Sequence, residues 1–245
     1  MRILKHIKEF GWGYAIIEIV LITVGILMAI QIDTWKESYK EKQQEIKMLA
    51  EIKSSLEQDL EFLNTTIIPR AKEVITSSEA LINHIKFEEI NNNSLQTHAF
   101  KITYGIEFEP RTSAFENLKT TGINLVSNDS LRLGIVELYD FLYDRQLRII
   151  DNVINDYREK HLLPYIIKNL EYQVDIKDGA LVRDETGQII SKLLVPEDIL
   201  YEKKFFNILN SRYWHFYDIF MRLTRLDKKV QSLIYEIELE LSRLN

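Results

Sequence analysis

The side chains best suited to catalysis or metal binding are sparse in this sequence. It contains no cysteine, which excludes disulfides, zinc–thiolate sites and a cysteine nucleophile. No two histidines have an H-E-x-x-H or other metal-binding spacing, and the glycines are too isolated to form a phosphate-binding loop. The histidines are His6, His84, His98, His161 and His215. The sequence therefore predicts neither an enzyme nor a bound metal or cofactor.

One aromatic cluster is the strongest candidate for a ligand site. Tyr213, Trp214, His215 and Tyr217 surround Phe216 where the last helical pattern begins. Ligand pockets are rich in aromatic side chains, so these four residues form a possible pocket. The other interpretation is that the cluster is part of the core and of a domain edge.

The composition favours long helices over strands. The 245 residues include only 8 glycines and 4 prolines, too few for the many turns of an all-β fold. Turn signals at 177–179 and 184–187 divide the segment 172–190, which predicts at most one small β-hairpin. The net charge of −6 gives no reason to expect a nucleic-acid partner, which would require a basic surface. We expect an all-α fold.

A continuous apolar segment from Gly11 to Ile32 predicts a transmembrane helix. About 22 residues at 1.5 Å per residue give roughly 33 Å of helix, which matches the hydrocarbon core of a bilayer. Trp12, Tyr14 and Trp35 flank the segment, as interfacial aromatic residues do. A buried core helix is rarely apolar on all sides over this length. A cleaved signal peptide would need a shorter apolar run and a small-residue cleavage site.

The orientation of the span follows from the basic residues beside it. The lysines and arginines on its two sides nearly balance, but the short N-terminal segment is the more densely positive. They are Arg2, Lys5 and Lys8 before the span, and Lys36, Lys40, Lys42 and Lys47 after it. We expect a protein of the inner (plasma) membrane with a cytoplasmic N-terminus and the bulk of the chain outside.

Glu18 lies inside the span, where a charged group costs roughly 3 kcal/mol or more. Gly11, Gly25 and Ala29 fall on the same narrow side of a 3.6-residue helix, and small residues let two helices approach closely. This coincidence predicts a helix-packing face for a second copy or for another membrane protein. The alternatives are that Glu18 reaches the membrane interface, or that it relays protons or conducts ions.

The 3-4 apolar spacing continues beyond the membrane as a coiled-coil-like seam. Only Lys42 and Lys53 interrupt it before Pro69, where we expect the helix to end or kink. The seam either mediates self-association or packs inside its own domain. Its members are Ile32, Trp35, Tyr39, Ile46, Leu49, Leu56, Leu60, Leu63 and Ile67.

Four segments follow from these patterns. A short basic N-terminal segment (1–10) precedes the transmembrane helix (11–32). A coiled-coil-like stalk helix (33–68) leads into a helical bundle domain (69–245), which ends in a heptad pattern from Phe216 to Leu244.

The span and its flanks also resemble a bacterial family of small membrane-anchored proteins classed only as a domain of unknown function. The resemblance rests on Glu18, on the sequence Gly25-Ile26-Leu27-Met28-Ala29-Ile30-Gln31 and on the exit at Trp35. Ile17 replaces a small residue of the family pattern, and Asp33 stands where asparagine is usual. The resemblance implies a single-pass envelope protein in which Glu18, Gly25 and Gln31 act as a set. It implies no activity.

Two hypotheses of function follow. In the first, the chain is a membrane-anchored scaffold or interaction protein that associates with itself through the span and the stalk. In the second, the outer domain binds a ligand and signals through a partner protein, because the sequence has no output domain. The sequence predicts no catalytic residue.

Overall fold

The computed structural model describes residues 3–88, 91–183 and 191–244, and it describes side chains from Tyr14 onward, except Ala15. Helices dominate, as the composition predicted. The α-helices are α1 (Ile3–Phe62), α2 (Ile68–Phe87), α3 (Asn92–Lys101), α4 (Ser113–Thr121), α5 (Asp129–Val136), α6 (Asp144–Ile149), α7 (Leu163–Asn169), α8 (Glu197–Leu200) and α9 (Lys203–Leu244).

The first two helices form one continuous rod, because a π-helical turn (Leu63–Ile67) joins α1 to α2 without a break. The helix therefore does not end at Pro69, and of the two predicted outcomes the end is wrong. Pro69 lies in the first turn of α2, and the preceding Ile68 keeps right-handed helical angles (φ −63°, ψ −46°). A proline ring clashes with the carbonyl four residues earlier in a regular helix, and the wider π turn relieves that clash.

The C-terminal helix α9 runs antiparallel to this rod. Lys53 Nζ lies 2.9 Å from Glu238 Oε1, and Asn64 Nδ2 donates to Asp227 Oδ1 at 2.6 Å. Between the two contacts the rod advances by eleven residues, from Lys53 to Asn64. Over the same distance α9 runs back by eleven residues, from Glu238 to Asp227, so the two helices are antiparallel. At 1.5 Å per residue, α9 is about 63 Å long, and it reaches from beside α2 back to the middle of α1.

The bundle has two hydrophobic cores, one at each end of α9. The proximal core lies beside the second half of α1 and includes Leu49, Leu56, Phe115, Leu138, Leu223 and Leu233. The distal core lies beside the end of α2 and includes Leu81, Ala99, Ile102, Leu162, Phe205 and Leu209.

A short strand region lies between α7 and α8. Its four strands form two small antiparallel pairs, β1 with β4 and β2 with β3. Asp178 and Gly179 both have positive φ, as the tight turn between β2 and β3 requires. The predicted turn at 184–187 lies outside the described residues. The strands are β1 (Glu171–Val174), β2 (Ile176–Lys177), β3 (Ala180–Leu181) and β4 (Ser191–Leu194).

The remaining short elements lie between α4 and α7. A 3-10 turn (Ile123–Leu125) follows α4. The helical run from α5 to α7 contains three further π-helical turns, Glu137–Tyr143, Ile150–Asn155 and Arg158–Leu162.

Candidate functional site

The outer helix, defined as residues 16–44 of α1, has no packing partner within the described chain. Every one of its side chains is exposed. Its most apolar window has a mean hydropathy of 2.2 and is 0% buried, so the helix is long and apolar enough to cross a membrane. A protein in water normally covers an apolar surface of this size.

The predicted packing face lies open on this helix. Glu18 and Ala29 are exposed, and a Cβ atom added at Gly25 would meet nothing within 4 Å. The packing of this chain therefore does not require a glycine at position 25. Gly11 lies in α1, but its surroundings fall outside what the structure describes.

The predicted seam divides into an exposed part and a buried part. The exposed members are Ile32 (63%), Trp35 (73%) and Tyr39 (59%). The other six pack in or against the proximal core, and they are Ile46, Leu49, Leu56, Leu60, Leu63 and Ile67. Of the two predicted alternatives for the seam, packing inside its own domain is therefore correct for these six residues. The division comes beside Leu244 of α9, because among the described residues no second helix packs against α1 beyond that point.

A buried segment without regular structure, residues 102–112, crosses the bundle between α3 and α4. Ile102, Thr103, Ile106 and Phe108 are all buried. Buried backbone N–H and C=O groups must find hydrogen-bond partners. The N–H groups of residues 102–104 donate to carbonyls at the end of α3. Polar side chains from neighbouring helices supply partners for the carbonyls of the segment.

Arg212 on α9 is the largest of these buried polar residues. Its side chain is fully buried, its Nε donates to the Ile102 carbonyl at 3.1 Å and its Nη2 to the Tyr104 carbonyl at 2.5 Å. The guanidinium also lies over the Phe216 ring, 4.4 Å from its centroid. Burial lowers the pKa of Arg212. The residue serves the backbone of the buried segment and leaves only Nη1 without a partner among the described residues.

Two residues from the π-helical turns support the same segment. Arg158 Nε donates to the Thr103 carbonyl at 2.6 Å. Asn155 Nδ2 donates to the Ile106 carbonyl at 2.9 Å, and its Oδ1 accepts from the Ile106 N–H at 3.4 Å. These turns therefore supply part of the polar contacts of the buried segment.

Asp59 on α1 fixes the far end of the segment. Its carboxylate is fully buried and accepts from the Arg111 backbone N–H at 3.1 Å, from Arg111 Nη1 at 3.2 Å and from the Tyr143 hydroxyl at 3.0 Å. Burial raises the pKa of Asp59, and the hydrogen bonds from Arg111 and Tyr143 oppose that rise. Burial and the nearby Asp59 charge raise the pKa of Tyr139, whose hydroxyl has no partner among the described residues.

The sequence analysis missed Asp59 and Arg212 as structural residues, although each carries a signal. Arg212 precedes Phe216 by four residues and so extends the apolar heptad of α9 backward. Asp59 lies three residues after Leu56 and four before Leu63, on the side of α1 that forms the core. A charged residue in the phase of a buried stripe indicates a buried hydrogen-bonding role.

Residues 18–162 match the model of a family of unknown function (DUF6090). The chain belongs to this family. No curated protein and no solved structure matches it. The DUF6090 match begins at Glu18 in the outer helix, includes the buried segment with Asp59, and ends at Leu162, before the strands and α9. Arg212 therefore reaches the buried segment from a helix beyond the DUF6090 match.

The predicted aromatic pocket also lies beyond the DUF6090 match, and its members face different surroundings. Trp214 and Tyr217 are exposed (65% and 42%), with ring centroids 6.3 Å apart. Tyr213 packs against the distal core, whereas the ring of His215 stands edge-on to Tyr157 at 4.9 Å. Burial lowers the pKa of His215. Tyr213 also stacks on Tyr217, with ring centroids 6.1 Å apart, so Tyr213, Trp214 and Tyr217 form one stacked group on α9. A ligand role for this cluster stays a prediction.

The described residues do not bring metal-binding side chains together in groups of three or more. The buried ionisable groups Asp59 and Arg212 are occupied with backbone contacts. The described part of this DUF6090 protein has a helix long and apolar enough to cross a membrane, and open grooves on the bundle.

Proposed function

We propose that this protein is a single-pass protein of the bacterial cell envelope, anchored by the outer helix, that associates with itself and acts as a scaffold rather than as an enzyme. The observation that carries the proposal is the complete exposure of an apolar helix whose packing face continues into exposed seam residues.

Burial energetics support the membrane anchor. A large aliphatic side chain gains about 1.5–3 kcal/mol when it leaves water, so the apolar residues between Ile16 and Ile32 together favour a bilayer by tens of kcal/mol. Trp35 and Tyr39 follow one and two turns after Ile32, with ring centroids 6.5 Å apart. These positions suit the headgroup layer, where amphipathic rings are enriched.

The bundle then lies just outside the bilayer. From Ile32 to Glu45, the first buried residue of α1, the helix rises about 20 Å. That length spans the headgroup layer and leaves little exposed stalk beyond it. The basic N-terminal residues support a cytoplasmic N-terminus and an extracytoplasmic bundle.

A second copy of the chain is the partner that the packing face suits best. Gly25 and Ala29 permit close contact between helix backbones, and two Glu18 carboxyl groups can share a proton where the helices meet. Ile32, Trp35 and Tyr39 extend the same face into the interfacial layer. The self-associating part is therefore residues 18–39, since the inner seam packs within the domain.

The test is the mass of the full-length protein in mild detergent, by light scattering corrected for bound detergent. We expect a defined oligomer for the wild type and a loss of association for Gly25→Leu. Thr23→Leu places a comparable side chain on the opposite side of the helix and should leave the mass unchanged. A monomeric wild type, or equal effects of the two variants, would contradict self-association through this face.

A second candidate function is supported by a different region. An open groove beside Gly105 has charged and aromatic walls, which favours an extracytoplasmic ligand-binding domain that signals through a partner protein. This function does not require the chain to associate with itself.

A further inference from the structure

We propose that this groove, which lies over the buried segment, binds a small organic anion that carries an aromatic ring. The groove has a volume of about 620 Å³, within the range of small-molecule sites. The backbone from Thr103 to Glu107 forms its floor, and its walls come from the α1–α2 rod on one side and the helical run from α5 to α7 on the other.

Both walls contain π-helical turns. Thr66 and Ile67 belong to the turn that joins α1 to α2, whereas Asn155 and Arg158 belong to turns on the opposite wall. π-Helical turns are rare and occur frequently at functional sites, because the extra residue redirects side chains. Two walls that each carry such a turn indicate a site shaped for a ligand.

Gly105 lets the floor and one wall approach closely. A Cβ atom at this position would lie 3.2 Å from Asn155 Oδ1 and 3.5 Å from Arg158 Cδ, the former closer than ordinary van der Waals contact. The close approach holds Asn155 and Arg158 against the groove while both satisfy the backbone of the floor. The site is therefore rigid on this side.

Arg70 supplies the anion-binding group. Its guanidinium lies 4.0 Å above the centre of the Tyr104 ring, and it has no ion pair within the described residues. Glu73, three residues further along α2, pairs instead with Lys101 at 2.7 Å. Arg158 on the opposite wall pairs with the adjacent Glu159. Arg70 is thus the cation of the groove that remains available for an incoming carboxylate or phosphate, which its planar fork can bind bidentately.

The aromatic residues of the groove explain why the anion should carry a ring. The Phe100 ring meets the rings of Tyr104 and Tyr172 edge-on, with centroids 5.5 Å apart in each case. Tyr172 is 49% exposed. The aromatic ring of a ligand could pack against these three rings while its anionic group lies beside the Arg70 guanidinium. Glu107 and Glu159 balance the two arginines, so selectivity for an anion must come from the position of Arg70 rather than from net charge.

Fluorine NMR of the full-length protein in lipid nanodiscs tests the proposal, with empty nanodiscs as the blank. The probe is 3-(4-fluorophenyl)propionate, titrated to about 10 mM so that weak binding is detectable. We expect saturable binding by the wild type, and binding weaker by at least tenfold for Arg70→Gln and for Tyr172→Ala. Arg222→Gln changes a surface arginine that pairs with Asp218 away from the groove and should bind like the wild type.

Two further probes make the outcome decisive. The cation 4-fluorophenethylamine has the same ring, and fluoroacetate has the charge without the ring; neither should bind. Equal binding of the amine, or retained binding in Arg70→Gln, would overturn the role of Arg70. If fluoroacetate bound as tightly as the aryl acid, the role of the aromatic residues would be overturned. If the aryl acid showed no saturable binding, the proposed site itself would be overturned. A thermal unfolding curve that matches the wild type establishes that each variant is folded.

Discussion

The outer and inner halves of the α1–α2 rod have the same apolar spacing and opposite surroundings. In the outer half, residues 16–44, all side chains are exposed. In the inner half, residues 45–87, seam residues such as Leu49 and Leu56 are fully buried. The helix itself does not change between the halves. The difference arises from α9, which packs along the inner half only. A periodic apolar stripe therefore indicates that a helix has a contact surface, but not which partner covers that surface.

The boundary between the halves is marked by polar contacts. Glu45, buried to 4% exposure, accepts from the Ser127 backbone N–H at 2.7 Å and from the Ser127 hydroxyl at 2.9 Å. On α9, Glu240 accepts from Asn128 Nδ2 at 2.7 Å and pairs with Arg243. These contacts fix the last turn of α9 and the start of α5 to the point where α1 leaves the bundle.

The largest effect should come from removing the buried guanidinium of the inner region. Arg212→Met leaves the Ile102 and Tyr104 carbonyls without their donor, and we expect a loss of about 4 kcal/mol in the free energy of unfolding. Urea unfolding in detergent, followed by circular dichroism, measures it. Arg225→Met, at an exposed position of α9, is the matched control and should change stability by less than about 0.5 kcal/mol.

The direct comparison of the halves uses one substitution in each. Leu56→Ala removes a fully buried side chain of the proximal core and should destabilise the bundle by about 3 kcal/mol. Leu27→Ala changes an exposed residue of the outer helix and should leave bundle unfolding unaltered. If both variants unfolded at the same urea concentration as the wild type, the inner half would not be the core that we describe.

Asp59 gives the inner half a pH dependence. Asp59→Asn should cost about 1–3 kcal/mol at neutral pH, because both carboxylate oxygens accept hydrogen bonds from Arg111 and Tyr143, whereas the amide has only one acceptor oxygen. The folded-state pKa of Asp59 is raised by burial, so folding favours its protonated form. As pH falls through the folded pKa towards the unfolded value, the wild type gains stability from this group and the variant does not.

Unfolding free energies of the wild type and Asp59→Asn, measured from neutral pH downward, check the sign. The difference between the two should grow as the pH falls. A difference that shrinks instead would mean that Arg111 lowers the pKa of Asp59 below its ordinary value. Glu61→Gln, an exposed position on the same helix, should follow the wild-type pH profile.

The smallest effect should come from the boundary itself. Glu45→Ala leaves the Ser127 N–H without its acceptor, and we expect a loss of about 1 kcal/mol with faster hydrogen exchange at the start of α5. Glu41→Ala, one turn further out on the exposed part of α1, should alter neither quantity. Equal effects of the two variants would place the boundary closer to the membrane than Glu45.

Much of the fold was predictable because its determinants are local. The 3-4 spacing of apolar residues indicated α9 and the long first helix, and the turn at Asp178 and Gly179 followed from residue type. The prediction that the helix ends at Pro69 was wrong because the proline ring clashes with the preceding turn only in a regular α-helix, whereas here a π turn precedes Pro69. The groove beside Gly105 was not predictable, since its walls come from residues about 50 to 90 positions apart in the chain.

The sequence by itself determined the helical class, the apolar span and the phase of the seam, since each depends on neighbours within a few turns. It also indicated a resemblance to a family of unknown function through Glu18, Gly25 and Gln31. Only the tertiary structure decided that Leu49 is buried while Ile32 is exposed, and that Arg212 and Asp59 serve the backbone of one buried segment. Those outcomes depend on which residues of α9 lie beside α1 and on which distant groups need a hydrogen-bond partner. The phase of Arg212 and Asp59 within their helices indicates burial, but it does not say which distant groups they contact.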